Sequence, residues 1–202
     1  MKKNIIILMV AISMVCLSYS QEAQPIKWPN NIVGAQASMF TGYGLVFGYH
    51  WSDAFMTKIN IYGLGAMNNP PPDEQSILTT IGLEMQYTMM RTKFTRFAIF
   101  AAASHWYDET TQYFDNSVYN TTAVYITKED ISRTIQFGLG FCLELLAWNR
   151  VGFSFEGGYM AKFSSNTGSR LSGNRPNYIL TPEASNPIWM GFGVGASVTY
   201  GF

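Results

Sequence analysis

The residues best suited to catalysis in this sequence are its two histidines, His50 and His105. An imidazole activates a serine nucleophile when it lies beside the hydroxyl group and takes its proton. Ser104 directly precedes His105, but consecutive side chains of a strand point to opposite faces. This arrangement argues against a hydrolase or acyltransferase, although serines on neighbouring strands leave that activity open. The alternative makes His105 an interfacial residue and His50 an interior or rim residue.

Carboxylates are concentrated between residues 108 and 130. Such groups can bind a divalent cation, or bridge through it to phosphate groups. Solvated charge on an exposed connection explains the same composition without a ligand, and we predict no metal site and no cofactor. The stretch contains Asp108, Glu109, Asp115, Glu129 and Asp130, with Lys128 as its only base.

Strands must position these groups, because apolar residues recur with a period of two along most of the chain. Ser52, Asp53 and Ala54 form a tight turn, and the consecutive prolines at 70–72 cannot belong to a ladder. We predict eight strands, which span Ile32–Phe40, Tyr43–Trp51, Phe55–Ala66, Ser76–Met90, Phe94–Tyr107, Ile131–Leu146, Val151–Phe163 and Pro187–Phe202.

The connections between these strands alternate in length. The second, fourth and sixth are short, whereas the third, fifth and seventh are longer, the last two having about 23 residues each. A barrel with both chain ends in the periplasm has tight turns on the inner side and long loops on the outer side. The alternation therefore favours a closed antiparallel barrel.

The two faces of the predicted strands differ in a way that indicates a membrane. In the fourth strand, Ile81 and Leu83 alternate with Gly82 and Glu84. A soluble lipocalin-type barrel would turn its apolar face inward and would need a charged exterior. Here the second face carries mostly glycine, serine and threonine, which suit a narrow interior. The fifth strand is ambiguous, since both of its faces are apolar over Phe97–Ala103.

The first 20 residues have the features of a secretory signal peptide. Two lysines precede an apolar run that ends at Leu17 and is too short for a spanning helix, and small residues allow cleavage before Gln21. Cleavage removes Cys16 and leaves Cys142 alone, which excludes an internal disulfide and a cysteine metal site. We predict a signal peptide over 1–20, a periplasmic segment over 21–31 and the barrel over 32–202.

Composition supports the same class. Charged residues make up 13% of the chain and aromatic residues 15%, whereas a soluble protein carries about 25% charged residues. Without the two signal lysines, 11 of the 13 basic residues remain against 13 acidic ones, a net charge of about −2. The sequence contains no basic patch that would indicate a nucleic-acid partner.

The last strand carries the most specific pattern. From Phe192 to Phe202 every second residue is apolar, and the residues between are glycine, serine or threonine. This stretch resembles the C-terminal strand of bacterial outer-membrane proteins, which ends in phenylalanine after alternating apolar residues. Together with the strands and connections, it makes the mature chain similar to the small eight-stranded outer-membrane barrels of the OmpA, OmpX and OmpW kind. The predicted fold class is all-β, a closed antiparallel eight-stranded transmembrane β-barrel.

This resemblance implies a location in the outer membrane of a Gram-negative bacterium, in contact with its lipid and with lipopolysaccharide. It also implies that Tyr200 and Phe202 belong to the signal that the outer-membrane assembly machinery reads during biogenesis. Some proteins of this kind are lipid A-modifying enzymes with a histidine and a serine at the outer end, which keeps an enzyme as an alternative.

Placing the large apolar sets against lipid leaves six charged residues inside, three of each sign. An unpaired ion in so confined an interior would be costly, so we expect opposite charges to pair. Counting back from the connections places Lys58 opposite Glu84 and Arg96 opposite Glu144. Eight strands leave an interior about wide enough for side chains alone, which predicts a plugged lumen that conducts poorly. The set consists of Lys58, Glu84, Arg96, Glu144, Glu156 and Lys162.

Aromatic residues cluster near the predicted strand ends, where rings settle at the level of the lipid headgroups. Trp51 and Trp148 lie at the predicted periplasmic end, and Trp106, Tyr107 and Trp189 lie at the outer end. We predict that these five side chains mark the two membrane interfaces.

Three functions remain open on the sequence alone. The first is an integral barrel that acts through its outer loops in surface interaction or envelope integrity. The second is a narrow pore or a lateral conduit for small apolar molecules, and the third is a lipid A-modifying enzyme. No residue pattern identifies an extracellular ligand.

Overall fold

The computed structural model describes residues 28–68, 74–115, 125–147, 150–172 and 179–202. The predicted signal peptide, most of the periplasmic segment and Trp148 lie outside these residues. Within the described ranges there is no helix with the length and hydropathy needed to cross a membrane. Nine strands occur there: β1 (Asn31–Ser38), β2 (Gly42–His50), β3 (Phe55–Asn68), β4 (Glu74–Arg91), β5 (Thr95–Asp115), β6 (Tyr125–Ala147), β7 (Val151–Ser172), β8 (Ile179–Ser185) and β9 (Ile188–Gly201).

Eight of these strands close into a ring. Antiparallel neighbours pair in chain order from β1 to β7, and β9 pairs with β7 on one side and β1 on the other. β8 pairs with β7 in the same register as β9, so β8 and β9 follow one line that is interrupted near Pro187, which has no N–H to donate. The predicted closed antiparallel eight-stranded barrel is confirmed. We call the end where β1 begins and β9 ends the base, and the opposite end the outer end.

Alternation along each strand decides which side chains face out. In β4, Met85 and Tyr87 are exposed on the outside of the ring, whereas Glu84 and Gln86 are fully buried within it. The same alternation holds in β9, where the apolar set that ends at Tyr200 is exposed. The barrel therefore has an apolar exterior and a polar interior.

The ambiguous fifth strand follows the same rule. Phe97 and Ile99 face out, while Arg96, Ala98 and Phe100 are buried inside. Its inward face is apolar over part of its length because it packs against an aromatic ring in the interior.

The prediction of long loops at the outer end was wrong over much of their length. β5 continues to Asp115 and β6 already begins at Tyr125, while β7 continues to Ser172 and β8 pairs with it. Threonine, tyrosine and serine in these stretches accept extended structure, and a ladder that is not packed against a core needs no apolar face. We call this extension the outer ribbon; it comprises 108–115, 125–130, 164–172 and 179–185.

The hairpin of β1 and β2 is much shorter, and its turn, Met39–Thr41, folds into the barrel. Gly42 and Gly44 have φ angles of 94° and 123°, a left-handed region that favours glycine. β2 pairs with β3 only from Leu45 onward, so the hairpin leaves the wall at these glycines. The sequence had placed Phe40 at the end of a regular strand. We call Met39–Thr41 the inward turn.

Candidate functional site

A buried ion pair occupies the middle of the interior. The Nζ atom of Lys58 lies 3.5 Å from Oε1 of Glu84 and 3.5 Å from Oε1 of Glu156. Lys58 and Glu84 are directly opposed across β3 and β4, which brings their side chains together. Lys58 is 2% exposed and Glu84 is fully buried, so each charge depends on its partner rather than on water.

A second ion pair lies closer to the base. Nε and Nη2 of Arg96 lie 2.9 and 2.7 Å from Oε2 of Glu144, which is directly opposite on β6. Arg96 also donates a hydrogen bond to the side-chain oxygen of Gln86, and the amide of Gln86 donates to Glu84. Gln86 therefore joins the two ion pairs into one network, in which each bond polarises the next.

The network reaches the inward turn through β1. Gln36 donates to Oε1 of Glu156 at 3.1 Å and to the Thr41 hydroxyl at 2.9 Å. Ser38 donates to Oε2 of Glu156 at 2.8 Å. Gln36 thus donates both to Glu156 of the network and to Thr41 of the inward turn, and it ties the position of the turn to that carboxylate.

An apolar layer covers the network on the side of the outer end. Phe40 of the inward turn is fully buried, and its ring meets that of Phe100 edge to face with 4.9 Å between the centroids. Ala102, Cys142 and Met160 complete this buried cluster. The Phe40 ring occupies the space above Gly138, where a Cβ atom would come within 2.4 Å of it.

At the base, Trp28 is buried beneath the network. Its ring centre lies 5.0 Å from the guanidinium carbon of Arg91 and 5.9 Å from that of Arg96, within the range of cation–π attraction. Pro29 follows and packs against Gly201, where a Cβ atom would come within 2.0 Å of the proline ring. The segment before β1 therefore folds across the base.

Above Phe40, toward the outer end, the interior widens into a cavity of about 610 Å³, which we call the vestibule. Gln136 lies at its floor, where its amide is placed to donate to the Met39 carbonyl at 2.7 Å and to accept from the Trp106 indole at 2.6 Å. Lys162 lies directly across from Gln136 on β7 and also lines the vestibule. Among the described residues, Lys162 makes no ion pair. Five of the six charges expected inside thus form the network, and Lys162 lies apart from it.

The aromatic residues expected at the membrane interfaces occupy different surroundings. Trp51 is exposed near the base, and its indole donates to Thr57 at 3.0 Å. Tyr107 lies on the outward face of β5, where its hydroxyl donates to Glu109 at 2.5 Å. Trp106 and Trp189 instead face inward and line the vestibule, since both follow the inward-facing alternation of their strands.

The C-terminal residues lie where β9 closes on β1 at the base. The Phe202 amide donates to the Asn31 carbonyl at 3.0 Å, and the Phe202 side chain is 63% exposed. Tyr200 faces outward and accepts a hydrogen bond from Arg150 at 2.8 Å. This bond raises the pKa of the Arg150 guanidinium, because the charged form is the donor.

The histidines do not meet serine hydroxyls in the described part of the chain. His105 is exposed on the outward face of β5, whereas Ser104 is buried on the inward face. His50 is buried at the base, and neither of its ring nitrogens has a hydrogen-bond partner among the described residues. The imidazoles are therefore not placed to activate a serine there.

The acidic stretch mostly lies on the outer ribbon. Nζ of Lys128 lies 2.5 Å from the Asp130 carboxylate, and the side chain of Asp115 falls outside the described residues. Asp108 and Asp130 line a shallow basin of about 860 Å³ on the ribbon, together with Arg170 and Lys128. No three histidine, cysteine, aspartate or glutamate side chains of the described ranges are grouped so that they could hold a metal ion.

Sequence reasoning missed three parts of the interior: Trp28, the inward turn and the linking glutamines. Gly42, in the predicted connection after Phe40, and Gly44, two residues further along, were the available signal for a bend. Gln36 and Gln86 lie on the predicted inward face, but nothing in their spacing indicates which carboxylate they contact.

Comparisons with known proteins gave only distant similarities. No protein-family model matches the chain, and no curated protein matches its sequence. Among solved structures, the crystal structure of CarO from Acinetobacter baumannii matches with a TM-score of 0.39 and 13% identity, covering 86% of this chain and 98% of that one. The crystal structure of CarO2 from the same organism matches with a TM-score of 0.39 and 11% identity, covering 87% and 100%. Likenesses this distant carry no argument about function.

Proposed function

We propose that this chain is an integral outer-membrane β-barrel of the small eight-stranded kind, with an interior closed to solutes. It acts through its outer ribbon in surface interaction or envelope integrity. The observation that carries the proposal is the continuous filling of the interior, from Trp28 through the ion network to Phe40.

The membrane location is supported by the exterior of the ring. Large apolar side chains are exposed on every strand of the ring except β1, which presents smaller ones, and a water-soluble monomer rarely exposes a continuous apolar surface of this kind. The alternation of apolar outward and polar inward residues is the pattern of outer-membrane barrels. The outer-membrane assembly machinery would then read the strand that ends at Tyr200 and Phe202.

The closed interior is supported by burial. Arg96, Lys58 and Glu84 are almost completely buried, although the barrel is open at the level of the vestibule. A water-filled channel would leave such charges hydrated, because burying an ion costs several kcal/mol that only good pairing offsets. Eight strands also leave an interior about wide enough for side chains alone, which supports a closed interior.

Conductance in planar lipid bilayers tests the closed interior. We expect the purified, refolded barrel to give no stable conductance steps above those of the bilayer alone. Steady, ion-selective steps from a preparation shown to be folded by its heat-dependent shift on a gel would contradict the proposal.

A shortened ribbon tests where the function lies. Thr167 and Ala184 are directly opposed on β7 and β8, so an Asn-Gly turn can join them in register. This removes the β7–β8 part of the outer ribbon beyond them and leaves the β5–β6 part in place. We expect this variant to reach the outer membrane but to fail to restore detergent resistance to cells that lack the protein. Full restoration would place the function outside the β7–β8 part of the outer ribbon.

A narrow pore or lateral conduit is the second candidate, and the vestibule is the observation that favours it. Solute passage through the interior would require the inward turn and the network to move together. The bilayer experiment separates this candidate from the first. The lipid A-modifying enzyme has no such support, because the described histidines lie away from serine hydroxyls.

A further inference from the structure

The vestibule is open on one side of the barrel wall. β9 pairs with β1 only from Gly195 to Gly201, and β2 pairs with β3 only up to Ile61. Among the described residues, β3 beyond Ile61 and β9 before Val194 therefore have no strand paired to them across this gap. The short hairpin and its inward turn form the lower edge of the opening.

The gap lies at the level of the apolar exterior. Ile188, Met190 and Phe192 are exposed on the outward face of β9 beside it. On the other side, Ile77 is exposed on β4 directly opposite Gly65 of β3. Both flanks thus belong to the surface that faces hydrocarbon in the proposed membrane position. A molecule dissolved in the membrane would then reach the vestibule laterally, through the gap between β3 and β9.

The lining of the vestibule combines one cation with apolar side chains and with the polar side chains of Ser132, Gln136, Ser164 and Asn166. Lys162 provides the charge, and it has no acidic partner within the described residues. The Tyr43 ring meets that of Trp106 edge to face at 5.3 Å between centroids, and the Trp189 ring lies against Gly191, where a Cβ atom would come within 2.4 Å of it. The apolar residues that line the vestibule are Met39, Tyr43, Trp106, Met160, Pro187 and Trp189.

The geometry points to the vestibule as a binding site for a single-chain anionic amphiphile, of the fatty-acid class, which enters from the membrane. Its carboxylate would pair with Lys162, and its chain would contact the aromatic and methionine side chains. A neutral lipid would leave the lysine without a partner, and a cationic one would be repelled. The cavity volume lies in the range of sites for one small molecule. This inference goes beyond the proposed function and does not require that the ligand passes through the barrel.

Equilibrium binding of radiolabelled laurate to the barrel in lipid nanodiscs tests the site, with empty nanodiscs as the background. We expect one saturable site for laurate and none for 1-dodecanol or dodecyltrimethylammonium. K162M should weaken laurate binding about tenfold or more, the effect of losing one hydrogen bond to a charged group. K93M, in an exposed turn at the base, is the matched control and should bind as the wild type does.

Two further variants keep the test decisive. K162R retains the charge and should bind laurate nearly as well as the wild type. Ser164 lines the same cavity, and S164W should fill it and remove saturable binding. The inference would be overturned if K162M bound laurate as tightly as the wild type does, or if the wild type bound 1-dodecanol as tightly as laurate. The bilayer conductance experiment tests the proposed function and does not bear on this inference.

Discussion

Lys58 lies between two carboxylates, and the described interior network contains three carboxylates but only two cations. Replacing Glu84 by Gln leaves one cation for each remaining carboxylate, and the new side chain can still accept from Gln86. We therefore expect Glu84→Gln to change the free energy of unfolding by about 1 kcal/mol or less. Lys58→Met leaves Glu84 and Glu156 buried without their cation and should cost about 3–5 kcal/mol.

Urea unfolding of the refolded variants in detergent micelles measures this difference. Glu183→Gln serves as the control, because Glu183 is exposed on the outer ribbon and lies 3.9 Å from Arg170. An exposed pair of this kind contributes little. An equal loss in the free energy of unfolding for Glu84→Gln and Lys58→Met would contradict this prediction. It would show that the one carboxylate in excess over the cations of the network does not make Glu84 replaceable.

Phe202 is the second residue whose role can be separated from packing. Its side chain is 63% exposed, and its backbone closes the ring through Asn31. Phe202→Ala keeps those backbone hydrogen bonds, so we expect a loss of stability on the order of 1–2 kcal/mol from the missing apolar surface alone. In cells, we expect the yield of assembled protein to fall much further, on the hypothesis that Phe202 belongs to the assembly signal that the resemblance implies.

Phe192 on the same strand is the matched control, since its side chain is 68% exposed on the same face. Phe192→Ala should lose a similar free energy of unfolding in micelles but retain its outer-membrane yield. Equal yields for the two variants would show that Phe202 acts only as an apolar surface residue.

At the scale of elements, the sequence predicted the ring because one rule, the alternation of outward apolar residues with inward residues, recurs from strand to strand. It failed at the outer ribbon, where Thr110 and Ser169 lie in strands without any apolar face to reveal them. It also placed Lys58 against Glu84 by counting alone, since opposed residues of a hairpin are fixed by its turn. The inward turn could not be found this way, because Phe40 leaves the wall and the alternation ends there.

The β7–β8 part of the outer ribbon should be separable from the ring. The ladder between β7 and β8 lies beyond the last pairing of β7 with β9, at Phe163 and Ile188. The variant that joins Thr167 to Ala184 should therefore keep a free energy of unfolding within about 1 kcal/mol of the wild type. Urea unfolding in micelles checks this, with the heat-dependent gel shift as the measure of folding. A variant that fails to fold would show that the ribbon nucleates or supports the ring.

At the scale of the whole molecule, the interior is filled by three layers of different chemistry. Trp28 and Pro29 cover the base, the ion network fills the middle, and the Phe40 cluster lies above it. The middle layer is linked to the upper one through Gln36 and to the lower one through Arg96. If the interior is closed as we propose, a solute that crossed the barrel would have to displace all three layers.

This layering predicts that removing one layer does not open the interior to ions. Trp28→Ala and Phe40→Ala each remove one layer, and each should leave planar-bilayer conductance at the level of the wild type, because the ion network still fills the middle. Phe40→Ala should also lower stability by about 3–5 kcal/mol, as expected for emptying a buried aromatic site. Met89→Ala, which removes an exposed outward side chain, controls for reconstitution. Steady conductance from either single variant would show that the network is not a barrier and that one aromatic layer alone closes the barrel.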